Sequence, residues 1–246
     1  MNRTFILVRK DIKEAFASKS TLWYIIILVV IAYPYFEMVK TATDRLISQS
    51  ASLTTIAESA QSTLNSMFFS LPMVLVMLSC SVFAAYAIML DKTKRSLESL
   101  LATPLSLRQL WVAKSLAVTL PSVIIGVSVA VILVIILNIW VFVPAGVGLI
   151  IPGVQSLVSG LVLIPVLTFL TVNIVAFLQF VMSNPRYASL VFSGIFIAIY
   201  LMTLFGVSVN WDFSLIYLAM IAILTVINII LSRFLTKEKI VLSSKA

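Results

Sequence analysis

The side chains available for chemistry in this chain are few, and their types rule out most of it. Histidine is absent and Cys80 is the single cysteine. A serine nucleophile needs a base beside it. Ser70, Ser79, Ser81, Ser128 and Ser193 have no histidine anywhere in the sequence, and no pair of acidic residues falls in the apolar runs that hold them. Such serines pack, or bond to a carbonyl of their own helix. One cysteine excludes an intramolecular disulfide and a sulfur-rich metal site, so Cys80 reads as a small packing residue. No GxxxxGK[ST] sequence is present to cradle phosphate. What remains is neutral and polar: Asn173 and Gln179 in one apolar run, Thr225 and Asn228 in another. In hydrocarbon such groups either bond neighbouring helices together or line a pathway. The first role is the expected one, and neither identifies a substrate.

The elements that carry these residues follow from composition. The apolar fraction is 61% and the charged fraction 11%, against about 45–50% and about 25% in soluble domains. Neutral stretches cover Ser20–Phe36, Ser59–Leu90, Ser115–Pro185, Tyr187–Trp211 and Phe213–Ser232, the third being 71 residues long. A spanning helix needs about 17–25 apolar residues, and only helices or closed barrels satisfy their backbone in lipid. Strand-like alternation is absent, so the fold class is all-α: a polytopic membrane protein with six transmembrane helices. The crossings are expected near 20–37, 66–90, 114–139, 157–182, 185–206 and 211–232, in one domain over 1–246. Pro72 would lie near the start of the second. With six, 15 of the 17 Lys and Arg face the cytoplasm, Lys40 and Arg45 being the exceptions. A seventh would send Arg186, Arg233, Lys237, Lys239 and Lys245 outside, against the positive-inside bias. The net charge of +8 is thereby read as topology rather than nucleic-acid binding. Both termini are expected in the cytoplasm and the protein in the cell membrane, in contact with its lipids.

Three connecting segments have characters of their own. In residues 3–19, Phe5, Val8, Ile12 and Phe16 recur at helical spacing beside Arg9, Lys10, Lys13 and Glu14, which predicts an interfacial amphipathic helix. The apolar run after it is too long and too far from the start for a removable signal peptide. Residues 38–65 place Leu46, Leu53, Ile56, Ala60 and Leu64 on one face and predict a short surface helix outside the membrane. Residues 141–156 hold Pro144, Gly146, Gly148, Pro152 and Gly153; they are too broken for a span, and either lie at the interface or dip into the membrane under protein cover.

Residues 91–114 read DKTKRSLESLLATPLSLRQLWVAK, with five basic and two acidic residues. Leu97, Leu100 and Leu101 make a short apolar stripe that Pro104 ends. Ser106 with Gln109 has the form of a capping box opening the next helix. This segment resembles the intracellular segment of the membrane permeases of type-2 ABC exporters: an acidic residue, a basic patch, Gly-Thr-Leu-Glu, two leucines, Thr-Pro and a later Gly-Lys. Asp91, Ser96-Leu97-Glu98, Leu100-Leu101, Thr103-Pro104-Leu105-Ser106 and Ala113-Lys114 stand at those positions, with Arg95 and Ala113 replacing the usual glycines.

The resemblance implies a non-catalytic subunit coupled to two cytoplasmic ABC ATPase subunits, and paired with a second copy of itself or a related permease. ATP and Mg would be bound in the partner ATPase, with no cofactor in this chain. Leu97, Leu100 and Leu101 would seat in an ATPase groove, Glu98 would make a polar docking contact, and Thr103 with Pro104 would set the bend. Lys114 would snorkel toward phosphates at the membrane boundary. Two other readings stand beside it. An ATPase-independent secondary transporter would be expected to place charges at membrane depth, where these runs are neutral; a membrane assembly or anchor protein is the other.

Overall fold

The computed structural model describes residues 3–17, 19–49, 52–84, 106–181 and 213–234, with Gly194 and Ala198. All regular structure among them is helical. The elements are α1 (Arg3–Ala17), α2 (Lys19–Ser48), α3 (Leu53–Ala84) and α4 (Leu107–Leu137), the last continued by a π-helical turn (Asn138–Phe142). After an extended connection come α5 (Val154–Val158), a second π turn (Ser159–Leu163), α6 (Ile164–Val181) and α7 (Phe213–Phe234). Among the described residues, five helices are long and apolar enough to cross a membrane: Trp23–Ser48, Leu53–Ala84, Leu107–Phe142, Val154–Val181 and Ser214–Phe234. They correspond to expected crossings one to four and six. Of the crossing expected over 185–206, the described residues include only Gly194 and Ala198, both helical.

α3 sits at the centre. Within its most apolar window 72% of residues are buried, against 17% for α2 and 6% for α7, which leaves those two at the perimeter of the described bundle. The largest helix pair is α3 on α4, and Gly126 is the reason they come so close. A Cβ built there would stand 2.7 Å from the backbone nitrogen of Val76, so only a residue without a side chain fits the crossing.

The predicted surface helix over 38–65 is not a separate element. α2 runs on through Glu37 to Ser48, and α3 starts at Leu53 and continues to Ala84. Residues 38–48 contain no glycine or proline to stop a helix, and Thr43 returns its hydroxyl to the Val39 carbonyl at 2.9 Å. α2 ends at Ser48 and α3 begins after Ser52, whose hydroxyl accepts the Thr55 N–H at 3.2 Å and caps the helix. Of the expected stripe, Ile56, Ala60 and Leu64 are buried, Leu46 is half-buried and Leu53 is 59% exposed; the buried three lie in the first turns of a membrane-length helix. Pro72 accordingly lies well inside α3, and Pro34 inside α2.

α4 begins as the sequence predicts. The Ser106 hydroxyl accepts the Gln109 N–H at 3.2 Å, and the Gln109 side-chain oxygen accepts the Ser106 N–H at 3.0 Å. Helical geometry then continues for 36 residues, about 54 Å at 1.5 Å per residue. That exceeds the roughly 30 Å of a hydrocarbon core, so in a bilayer at least one end of α4 would stand outside the core or the helix would tilt.

Candidate functional site

The end of α4 that follows segment 91–105 is built from three helices. Lys114 is two turns into α4, and its ammonium lies 2.6 Å from Asp11 Oδ2 of α1, with the two side chains 1% and 6% exposed. The expectation that Lys114 snorkels to lipid phosphate is therefore replaced by a buried ion pair. The reason is the facing carboxylate: a lysine turned outward would leave Asp11 desolvated without this counter-charge.

The same pair sets which face of α1 packs. Leu7, Val8, Asp11 and Ala15 are buried, whereas Phe5 and Phe16 are 59% and 42% exposed. The packed face is rotated from the Phe5–Val8–Ile12–Phe16 stripe read in the sequence. Ala15 allows close contact, and Phe16 swings to the edge, with its ring 5.6 Å from that of Phe83. At the joint with α2, the Thr21 hydroxyl donates to the Ala15 carbonyl at 2.6 Å.

One turn before Lys114, Trp111 fastens α4 to α6. Its Nε1 donates to the Asn173 main-chain carbonyl at 2.7 Å, and its ring meets Phe177 edge-on at 6.3 Å. The Asn173 amide itself donates to Phe169 of its own helix at 3.0 Å. Asn228 makes the cross-helix bond expected of it, donating to Leu170 of α6 at 3.1 Å and to Leu224 of its own helix at 2.8 Å. Thr225 is exposed and bonds only its own helix, at Ile221. Gln179 is buried in α6. Asn173 and Gln179 are carried by α6, and Thr225 and Asn228 by α7. The groove of about 600 Å³ between α2 and α4 touches none of them and is walled by apolar groups such as Val29, Phe36, Ile132 and Ile136.

Leu97, Glu98, Leu100, Leu101, Thr103 and Pro104 lie outside the described residues, and the description resumes at the Ser106 cap. Asp11 and Trp111 were not singled out by sequence reasoning. The one available signal for Asp11 was its place among apolar residues, between Val8 and Ala15 on a single helical face.

At the far end, the broken segment 143–153 is held by side chains rather than by regular structure. Asn138 donates to the Ile150 carbonyl at 2.9 Å and accepts the Ile150 N–H at 2.7 Å. Gln61 donates to the Ile151 carbonyl at 2.8 Å, and the Gly153 N–H reaches Asn65 Oδ1 at 2.7 Å. Gly146 and Gly148, with φ of 77° and 84°, take conformations that other residues rarely adopt. Irregular backbone next to a membrane is tolerated when protein groups satisfy it, and these amides do so. Beside this, the Tyr217 hydroxyl of α7 donates to the Phe69 carbonyl of α3 at 2.9 Å.

Comparison of the chain with protein-family models, with curated proteins and with solved structures gave no match.

Proposed function

We propose that this chain is the membrane-spanning permease subunit of an ATP-driven exporter of the type-2 ABC kind. The observation that carries the reading is the ordered series from Asp91 to Lys114, which contains the Ser106–Gln109 capping box of α4. In this reading the chain is not an enzyme. Two ABC ATPases bind and hydrolyse ATP with Mg, and the permease pairs with a second copy or a related chain. Six crossings, with the 185–206 helix as the fifth, put both termini and segment 91–114 in the cytoplasm of a cell-membrane protein, and α1 lies at the lipid interface.

Two features support a coupling role on physical grounds. An apolar stripe in a charged cytoplasmic segment has to be covered by something, and Leu97, Leu100 and Leu101 suit a groove on a partner. Directly after it comes a continuous helix of 36 residues, a stiff element able to carry a displacement at its base across the membrane. Rigid-body shifts of packed helices are a common way to convert a local event into a distant one.

The test is the double substitution Leu100→Asp/Leu101→Asp, which would put unpaired charge into a buried docking surface. At matched membrane abundance the unmodified chain should retain its ATPase on purification in mild detergent and the variant should lose it. Equal ATPase retention and transport by the two chains would refute the assignment of residues 97–104 as the coupling surface.

A further inference from the structure

The Asp11–Lys114 pair joins elements that are distant in sequence and differently attached. Lys114 belongs to the base of α4, two turns beyond Ser106, where segment 91–105 ends. Asp11 is at the middle of α1, and α1 packs more extensively on α4 than on α2, its neighbour in sequence. The far end of α1 is tied to α2 through the Thr21–Ala15 hydrogen bond. We infer that Asp11 is a positioning residue: through Lys114 it locks α1 to the base of α4 as one rigid body, so that α1 and the start of α2 travel with α4 whenever segment 91–105 is displaced. The displacement rests on the proposed function, while the lock rests on geometry alone.

Burial is what makes this pair a lock. With side chains 1% and 6% exposed, neither charge can exchange its partner for water without the helices first separating. Pulling the pair apart leaves two desolvated charges, and the desolvation cost that was met when they came together is not recovered. Lys10 and Glu14 on the same helix make the contrast. They stand 3.7 Å apart and 63% and 66% exposed, a geometry in which ion pairs exchange freely with solvent and contribute little. The other buried residues of α1 are Leu7, Val8 and Ala15, small or aliphatic groups whose packing is non-directional. The charge pair is what defines register.

The experiment places spin labels at Lys10→Cys and Arg108→Cys, both exposed positions, in a Cys80→Ala background, and reads their separation by pulsed dipolar spectroscopy in lipid nanodiscs. In the full complex with its ATPase, the separation should keep the same mean and width without nucleotide and with ATP and Mg trapped, while a second pair at Arg108 and Arg233 shifts. Asp11→Asn should broaden and lengthen the 10–108 distribution in the chain alone, and Asp11→Glu should restore it. A 10–108 separation that changes on trapping ATP would overturn the lock, as would an Asp11→Asn distribution identical to the parent. Should Asp11→Asn fail to accumulate, Asp11→Leu/Lys114→Met removes both charges and keeps apolar packing; an unchanged distribution there refutes the charge pair as the source of register. A chain that captures no ATPase would count against the exporter reading, and the lock is then decided by the Asn and Glu variants in the isolated chain.

Discussion

Gly126→Ala tests the close approach of α3 and α4, and its effect can be worked out from the crossing. The new methyl would stand 2.6 Å from Val76 Cγ2, 2.7 Å from its nitrogen and 3.0 Å from its Cα. Carbon atoms sit comfortably at about 3.5–4.0 Å, so the shortfall is about 1 Å. Val76 cannot swing far, because a β-branched side chain in a helix has essentially one rotamer, and its backbone atoms cannot move without the helix. The two helices must therefore part by roughly 1 Å at the crossing, a gap that forfeits about a quarter to a half of the attraction of each contact nearby. Over-packing of this kind costs about 1–3 kcal/mol, and alanine returns up to about 1 kcal/mol of helix propensity over glycine. The expected net loss is about 1–2 kcal/mol, read as an earlier midpoint for unfolding from mild detergent into SDS, followed by tryptophan fluorescence. Adding Val76→Ala removes the Cγ2 contact but leaves the nitrogen and Cα, so it should recover only part of the loss. A Gly126→Ala midpoint at or above that of the parent would refute the argument. Complete rescue by Val76→Ala would show that a methyl group, not the backbone, set the distance.

Two further outcomes are expected. Asn138→Leu removes both bonds to Ile150 and leaves a buried N–H unpaired, a loss of about 1–3 kcal/mol that should appear as faster proteolysis within 143–153 while the α3–α4 crossing is retained. Tyr217→Phe removes the bond to Phe69 and should cost about 0.6 kcal/mol, the average for such bonds between membrane helices, in the SDS unfolding assay; no measurable change would mean that this bond does not help to seat α7.

Much of the architecture was legible before any coordinates, because the properties that decide it are local. Length and composition of the neutral runs determine that those covered by the described residues are membrane-length helices. The start of α4 is written in four residues, Ser106 to Gln109, whose side chains and backbone satisfy one another without help from elsewhere. Proline and glycine spacing in 141–156 determine that the helix breaks there, since neither a 3.6-residue nor a 2-residue period can be laid over it, and the irregular stretch is 143–153. A resemblance in 91–114 could likewise be read, though its key leucines lie beyond the described residues.

The tertiary structure decided what local patterns leave degenerate. A charged cluster at 37–45 is compatible with a surface helix or with the extension of a span, and the absence of a breaker before 49 settles it as an extension of α2. Phe5, Val8, Ile12 and Phe16 form one apolar stripe of α1, but Leu7, Val8, Asp11 and Ala15 form the face that packs. Amphipathic spacing gives a direction to within about a quarter turn, and the neighbour chooses within that range. Asn138 stands at the end of α4, and only the path of the chain back past it makes its amide a clamp on Ile150. Lys114 shows the same principle most sharply. A lysine near a helix start can reach water, phosphate or a carboxylate, and each is compatible with its neighbours in sequence. What chose among them was Asp11, 103 residues away in the chain and 2.6 Å away in space: a buried charge is tolerable only beside its opposite, and proximity of that kind exists only after the helices have packed.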